Sequence, residues 1–144
     1  MSLNDQIFGK MQEFMGEATG IELPPKVFTE AGGEFVRLDL DEKLLICRFP
    51  VLERYLNPLR HVQGGAIALL LDNTLGPLSY MVAPPSTTTQ MHINYIRPIT
   101  AEQSHVEIEA QVIEQTRRFL FMQARAISPE GKPQVMCDAT AMVL

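Results

Sequence analysis

The fold is decided by the stretch Asn57-Pro58-Leu59-Arg60-His61-Val62-Gln63-Gly64-Gly65-Ala66-Ile67-Ala68-Leu69-Leu70-Leu71-Asp72-Asn73. Ala66 to Leu75 reads as a helix that is apolar on nearly every side, and such a helix belongs inside a protein. Its unbroken apolar run, Ala66 to Leu71, is the longest in the chain at six residues. A membrane span needs ~20, so the helix is expected to be buried by protein rather than by lipid. Gly76-Pro77 is expected to weaken or end it, with Leu78 to Val82 adding at most a turn, and Pro84-Pro85 is a firm break.

Upstream, Leu3 to Glu17 places Ile7, Met11, Phe14 and Met15 at helical spacing, with Ser2 or Asn4 as its cap. Pro24-Pro25 stops it. Glu34 to Leu40 and Lys43 to Phe49 read as two strands joined by a turn at Asp41-Glu42. Downstream, Thr87–Arg97, Ser104–Glu114, Arg118–Ile127 and Gln134–Val143 read as four strands, the last two joined by the turn Ser128-Pro129-Glu130-Gly131. They are long compared with the usual ~5–6 residues, and hairpin links between them are expected. Ser104–Glu114 alternates Val106, Ile108, Ala110, Val112 with His105, Glu107, Glu109, Gln111, so one face is buried and the other wet.

One long antiparallel sheet curved around one apolar helix satisfies this order. The expectation is a single α+β domain over residues 1–144, with residues 1–20 forming a helix that covers the core. Sheets of this size join readily at their edges, which suggests a homodimer, or a dimer of dimers.

The chain has 144 residues, 46% hydrophobic and 20% charged, enough for one core without staples. With 12 basic and 17 acidic residues its net charge is −5, so nucleic acid is a poor partner. His61, His92 and His105 show no metal-ligand spacing, Cys47 and Cys137 form no CxxC, and no metal site is expected. No phosphate-binding glycine motif is present. The first residues carry no charged-then-apolar leader, and a cytoplasmic address is expected.

Two features of the decisive stretch bear on chemistry. Gly64-Gly65 stands where a loop becomes the helix. The first N–H groups of a helix lack internal partners and lie at its positive end, so glycines there either admit a ligand oxygen as an oxyanion hole or simply permit a tight turn. Asp72 ends the apolar run. A carboxylate at the inner end of such a helix is costly to desolvate unless it is paired or used; it is a general base, acid or nucleophile, or else it marks where the helix meets solvent. Gly64 and Asp72 are ~12 Å apart along one helix. A site using both needs a second copy of the chain.

This segment resembles the signature of the hotdog-fold acyl-CoA thioesterases, in the phenylacetate-pathway-like branch of the 4-hydroxybenzoyl-CoA thioesterase superfamily. That branch carries an Asn, a short loop, His-Gly-Gly, and an apolar helix with an acidic residue eight positions after the first glycine. Asn57, Gly64, Gly65 and Asp72 match. Thr87-Thr88-Thr89-Gln90-Met91-His92-Ile93-Asn94-Tyr95-Ile96-Arg97-Pro98 resembles the next strand, with its Ser/Thr start and Tyr-x-Arg-Pro ending. The element order matches the hotdog fold over roughly residues 20 to 144. The resemblance implies an acyl-CoA thioesterase with Asp72 as general base or nucleophile, the Gly64 N–H (with Gly65) as oxyanion donor, Asn57 orienting water or thioester, and Thr88 beside the attacking water. It implies no cofactor except coenzyme A as part of the substrate, and an active site at the dimer interface.

Two positions depart from the pattern. Gln63 replaces the His before the glycine pair and cannot titrate. Arg60 replaces a loop glycine. Gln63 motivates the alternative of a catalytically weak acyl-thioester binding protein. A hydratase of this fold would carry His five residues after the Asp, where this chain has Pro77. Arg117, Arg118 and Arg97 are candidates for the phosphates of coenzyme A. Leu59, Leu75, Leu78, Tyr80, Met81 and Phe121 are candidates for an apolar acyl pocket.

Overall fold

The computed structural model describes residues 1–15 and 20–144. These form three α-helices, α1 (Leu3–Met15), α2 (Lys26–Thr29) and α3 (Gly64–Val82), and six strands. The strands are β1 (Glu34–Asp39), β2 (Leu44–Pro50), β3 (Ser86–Tyr95), β4 (His105–Gln115), β5 (Phe119–Ile127) and β6 (Pro133–Val143). All pair antiparallel in one sheet of order β1-β2-β4-β5-β6-β3. This is the hotdog fold, with α3 as the filling.

The inner face of the sheet is built for a close helix. Val106, Ile108 and Ala110 of β4, Leu120, Ala124 and Ala126 of β5, and Val135, Ala139 and Ala141 of β6 are all buried. The register sets Ala110 opposite Ala124 and Ala139 opposite Met122. Small side chains along this floor leave room for Leu70, Leu71, Leu75 and Leu78 of α3, each at most 1% exposed. The alternate residues, Glu107, Glu109, Gln123 and Arg125 among them, point outward, as a half-wet sheet requires.

Three expectations are corrected. First, α3 does not break at Gly76-Pro77; it runs nineteen residues to Val82. Pro77 forfeits one hydrogen bond, to the carbonyl of Asn73, while Pro77, Leu78 and Met81 stay buried, so packing outweighs the lost bond. The helix stops at Ala83, before Pro84. Second, the four long strands are not all hairpin-linked. Nine residues, 96–104, separate β3 from β4, more than the usual 2–5 of a hairpin loop. They carry the chain across the sheet, leaving β3 on the edge beside β6. Third, α1 buries Ile7, Phe8 and Met11, while Phe14 is 56% exposed; the end of the expected helix, Gly16 and Glu17, lies outside the described residues.

Ser2 caps α1: its hydroxyl accepts from the Asp5 N–H (3.1 Å) and donates to the Asp5 carboxylate (2.7 Å). Asn4 instead ties α1 to the sheet, accepting from the Phe35 N–H (2.7 Å) and donating to the Gly33 carbonyl (3.2 Å). Beneath α1, Phe8, Phe28, Phe35 and Phe49 pack with ring centroids 4.7 to 5.8 Å apart. Among the described residues no helix is long and apolar enough to cross a membrane.

Candidate active site

The loop before α3 is held by its own side chains. A bridge between Leu56 and Val62 closes it. Asn57 Oδ1 accepts from the N–H groups of both Leu59 and His61, each at 3.0 Å. The Asn57 N–H donates to the His61 carbonyl at 2.7 Å. Asn57 is therefore first a loop-shaping residue. Arg60 sits at φ 63°, the left-handed region a glycine would favour. It stays there at a cost of roughly 1–2 kcal/mol, pinned by an ion pair with Glu53 (Nη2–Oε2 3.2 Å) and by its N–H to the Asn57 carbonyl. The hydrogen bonds from the Arg60 guanidinium also hold the Glu53 carboxyl below its usual range.

The loop delivers Gln63 as the residue before α3. The Gln63 side chain makes no capping bond, and its Oε1 lies 3.7 Å from where a Cβ on Gly65 would stand. The Ile67 N–H bonds back to the Gln63 carbonyl, so the N–H groups of Gly64 and Gly65 precede the first closed helical turn. The Tyr95 hydroxyl donates to the Gly64 carbonyl at 2.7 Å, and a Cβ on Gly64 would come within 3.3 Å of that phenol. Tyr95 thus fixes the helix start against the end of β3. Sequence reasoning used Tyr95 only as a motif marker; its pairing with Gly64 depends on β3 running back along α3.

Two turns further along, Asp72 meets the other end of β3. The Thr88 hydroxyl donates to Asp72 Oδ1 at 2.8 Å. A bulge inserts Thr89 between Thr88, which pairs with Ala141, and Gln90, which pairs with the next residue of β6, Thr140, and such bulges re-aim side chains. Thr89 turns to the Thr140 carbonyl (3.1 Å) and Thr88 to Asp72. The inner end of the apolar helix is not where Asp72 lies: in the single protomer it is exposed, beside buried Asn73. Its charge still reaches the interior. Burial first, then the charges of Asp138 and Asp72, push the Cys137 thiol up to about 11. Cys47 is pushed up to about 12 by burial, against a hydrogen bond from Thr74. Neither cysteine is a thiolate nucleophile near neutral pH.

One protomer therefore assembles two half-sites on one exposed edge: Gln63, Gly64, Gly65 and Tyr95, and ~12 Å along the helix, Asp72 and Thr88. The three arginines do not converge within it. Arg97 Nη1 donates to the Pro133 carbonyl (2.8 Å) at one end of β6, while the Arg118 carbonyl accepts from the Val143 N–H at the other. The 11 residues of β6 separate them by roughly 30 Å. Of the residues expected to line an acyl pocket, Leu75, Leu78 and Met81 are core, and Leu59 and Phe121 are exposed. Tyr80 alone lines a crevice beside Asp72.

A sequence model of the thioesterase superfamily matches residues 59–134, from the Asn57 loop to the start of β6. The chain belongs to the thioesterase superfamily. The superfamily fold is matched over nearly the whole chain by a phenylacetic acid degradation-related protein from Ralstonia eutropha, at 25% identity and TM-score 0.79, covering 95% of this chain and 99% of that one. The PaaI protein from the phenylacetic acid degradation operon of E. coli shares the fold at 15% identity and TM-score 0.80, over 98% and 93% of the two chains. So does the Streptococcus mutans protein smu.793, bound to acetyl CoA, at 17% identity and TM-score 0.70, over 90% and 97%. The thioesterase match spans both half-sites.

Proposed function

We propose that this thioesterase-superfamily chain hydrolyses acyl-CoA thioesters, with Asp72 as general base, in a site completed by a second copy. The observation that carries the reading is the Thr88–Asp72 hydrogen bond. The Thr88 hydroxyl spends its proton on Oδ1, so its lone pairs are free to accept from a water, and Oδ2 is free to take that water's other proton. As the water oxygen attacks the thioester carbon, its proton passes to Asp72. The carbonyl oxygen takes the developing charge, opposite the N–H groups of Gly64 and Gly65 at the positive end of α3. The C–S bond then breaks, and Asp72 returns the proton to the departing sulfur.

The two half-sites meet if two copies pair along the free edge of β3. An antiparallel pairing centred between Met91 and His92 sets Thr88 opposite the second copy's Tyr95, so Asp72 faces the second copy's Gly64. The same pairing sets the second copy's Arg97 opposite Ser86, next to Val143 and hence near Arg117 and Arg118. The three arginines that one protomer holds apart would then border one site for coenzyme A.

The test is thiol release from a panel of aryl- and fatty acyl-CoAs. Asp72→Asn is expected to lower kcat at least ~100-fold, a loss of ~2.7 kcal/mol in transition-state stabilisation. Equal turnover in both proteins refutes the role of Asp72. Gln63, exposed and unable to titrate, favours a second reading, an acyl-thioester binding protein; acyl-CoA that binds yet stays intact throughout the panel would establish it.

A further inference from the structure

The crevice beside Asp72 has a volume of about 490 Å³ and runs between α3 and the N-terminal elements. Its α3 wall is formed by Asp72, Asn73, Gly76, Pro77 and Tyr80, spaced i, i+1, i+4, i+5 and i+8, one stripe of a helix. Met11 of α1 and Phe28 of α2 face that stripe, and Thr88 closes the end where Asp72 lies. The crevice thus starts at the proposed general base and extends over two helical turns, ~12 Å, to Tyr80. Its walls are mixed: Met11, Phe28 and Pro77 are apolar, while Glu22, Asn73, Thr87 and the Asp72–Thr88 pair are polar.

Gly76 is the gap in the stripe. A side chain belongs there, one turn beyond Asp72, and a Cβ built on Gly76 meets nothing within 4 Å. By contrast, a Cβ on Gly64 or Gly33 meets an aromatic ring. A mid-helix glycine costs roughly 0.5–1 kcal/mol relative to alanine; this one also precedes Pro77 within α3, whose ring disfavours helical backbone in a preceding residue that carries a Cβ. The glycine's effect is to keep the crevice open past Asp72.

We infer that Gly76 is a specificity-determining residue: its missing side chain admits aryl and medium-chain acyl groups past Asp72 toward Tyr80, and any larger residue there restricts the site to short acyl groups. The inference rests on the proposed thioesterase reading for its substrate, but it is read independently by binding. Thiol release from acetyl-, octanoyl- and phenylacetyl-CoA is compared in wild type, Gly76→Ala and Gly76→Leu. The expected result is a graded loss: Gly76→Leu lowers kcat/KM at least 10-fold for octanoyl- and phenylacetyl-CoA, leaving acetyl-CoA within about twofold, and Gly76→Ala lies between. A uniform loss across the three substrates, or no loss, overturns it.

Calorimetric titration of octanoyl-CoA and acetyl-CoA into Asp72→Asn and into Asp72→Asn/Gly76→Leu separates the two ideas. A tenfold weakening confined to octanoyl-CoA supports the crevice even if the wild type hydrolyses nothing. Equal affinities in the two proteins overturn the crevice even if hydrolysis is vigorous. Gly76→Ala, whose added methyl meets nothing within 4 Å beyond its chain neighbours, guards against a folding defect in the leucine variant. A Cβ before Pro77 strains the helix, so the melting temperatures of both variants are read alongside, and a loss shared by all three substrates that follows them overturns the inference.

Discussion

Replacing Thr88 by valine is the sharpest probe of the proposed chemistry. The change exchanges one hydroxyl for one methyl and keeps a β-branched residue in β3. It removes the 2.8 Å hydrogen bond to Asp72 Oδ1 and the lone pairs that would hold the water. A hydrogen bond to a charged group is worth ~1.5–3 kcal/mol. If it is made in full only in the transition state, kcat falls roughly 10- to 150-fold. The effect on stability is far smaller. Thr88 is half-exposed and Asp72 exposed, so in the resting protein water replaces the lost partner, and a shift within ~0.5 kcal/mol is expected. The assay is thiol release under saturating acyl-CoA, with melting temperature measured alongside. Thr88→Ser, which restores the hydroxyl, should recover most of kcat. The reasoning is refuted if Thr88→Val leaves kcat unchanged, or if activity falls only in step with the melting temperature.

Two further outcomes test the fold beneath the site. Gly33→Ala would drive a Cβ to 2.6–2.8 Å from the ring of Phe28, which is buried and stacked on Phe35 at 4.7 Å; overpacking of ~1–3 kcal/mol is expected, read as a melting temperature lower by several degrees. Cys47 and Cys137 should not react with a chromogenic disulfide at pH 8 in the native protein, and both should react after denaturation. Because burial raises both thiols from 9.0 to about 12 and about 11, their contribution is complete below pH 9 and is lost as pH rises toward those values. Denaturant midpoints should therefore fall through that window, and Cys47→Ala/Cys137→Ala should flatten the slope.

Much of the fold was legible because its periods are local. The alternation in Ser104–Glu114 appears directly as the buried and outward faces of β4, and the turn at Asp41-Glu42 joins β1 to β2. What escaped reading was decided between elements. Pro77 looks like a helix end because its local cost is plain, whereas the buried contacts that carry α3 past it belong to the sheet. The place of β3 on the edge depends on a nine-residue link whose length was visible but whose direction was not. The candidate site divides in the same way. Gly64 and Asp72 stand out from their places in one helix. The bonds Tyr95–Gly64 and Thr88–Asp72 come from β3 lying along that helix, and the opening at Gly76 depends on α1 and α2 standing opposite.

The two departures from the family pattern separate shape from chemistry. Arg60 leaves the shape intact: it takes the left-handed turn that a glycine would take, because Asn57 Oδ1 and Glu53 hold the loop on both sides of it. Gln63 keeps its place at the head of α3 but removes a titrating group. The proposed cycle has little need of one. The leaving group is a thiolate, and an ordinary thiol titrates near ~8.5, so the C–S bond breaks without a strong acid beside it. The only proton that must be taken is the attacking water's, and Asp72 holds it until the sulfur can accept it. An amide at position 63 can still donate an N–H toward the thioester. On this argument the substitution bears on how the thioester is oriented, and the proton's route runs through Asp72 alone.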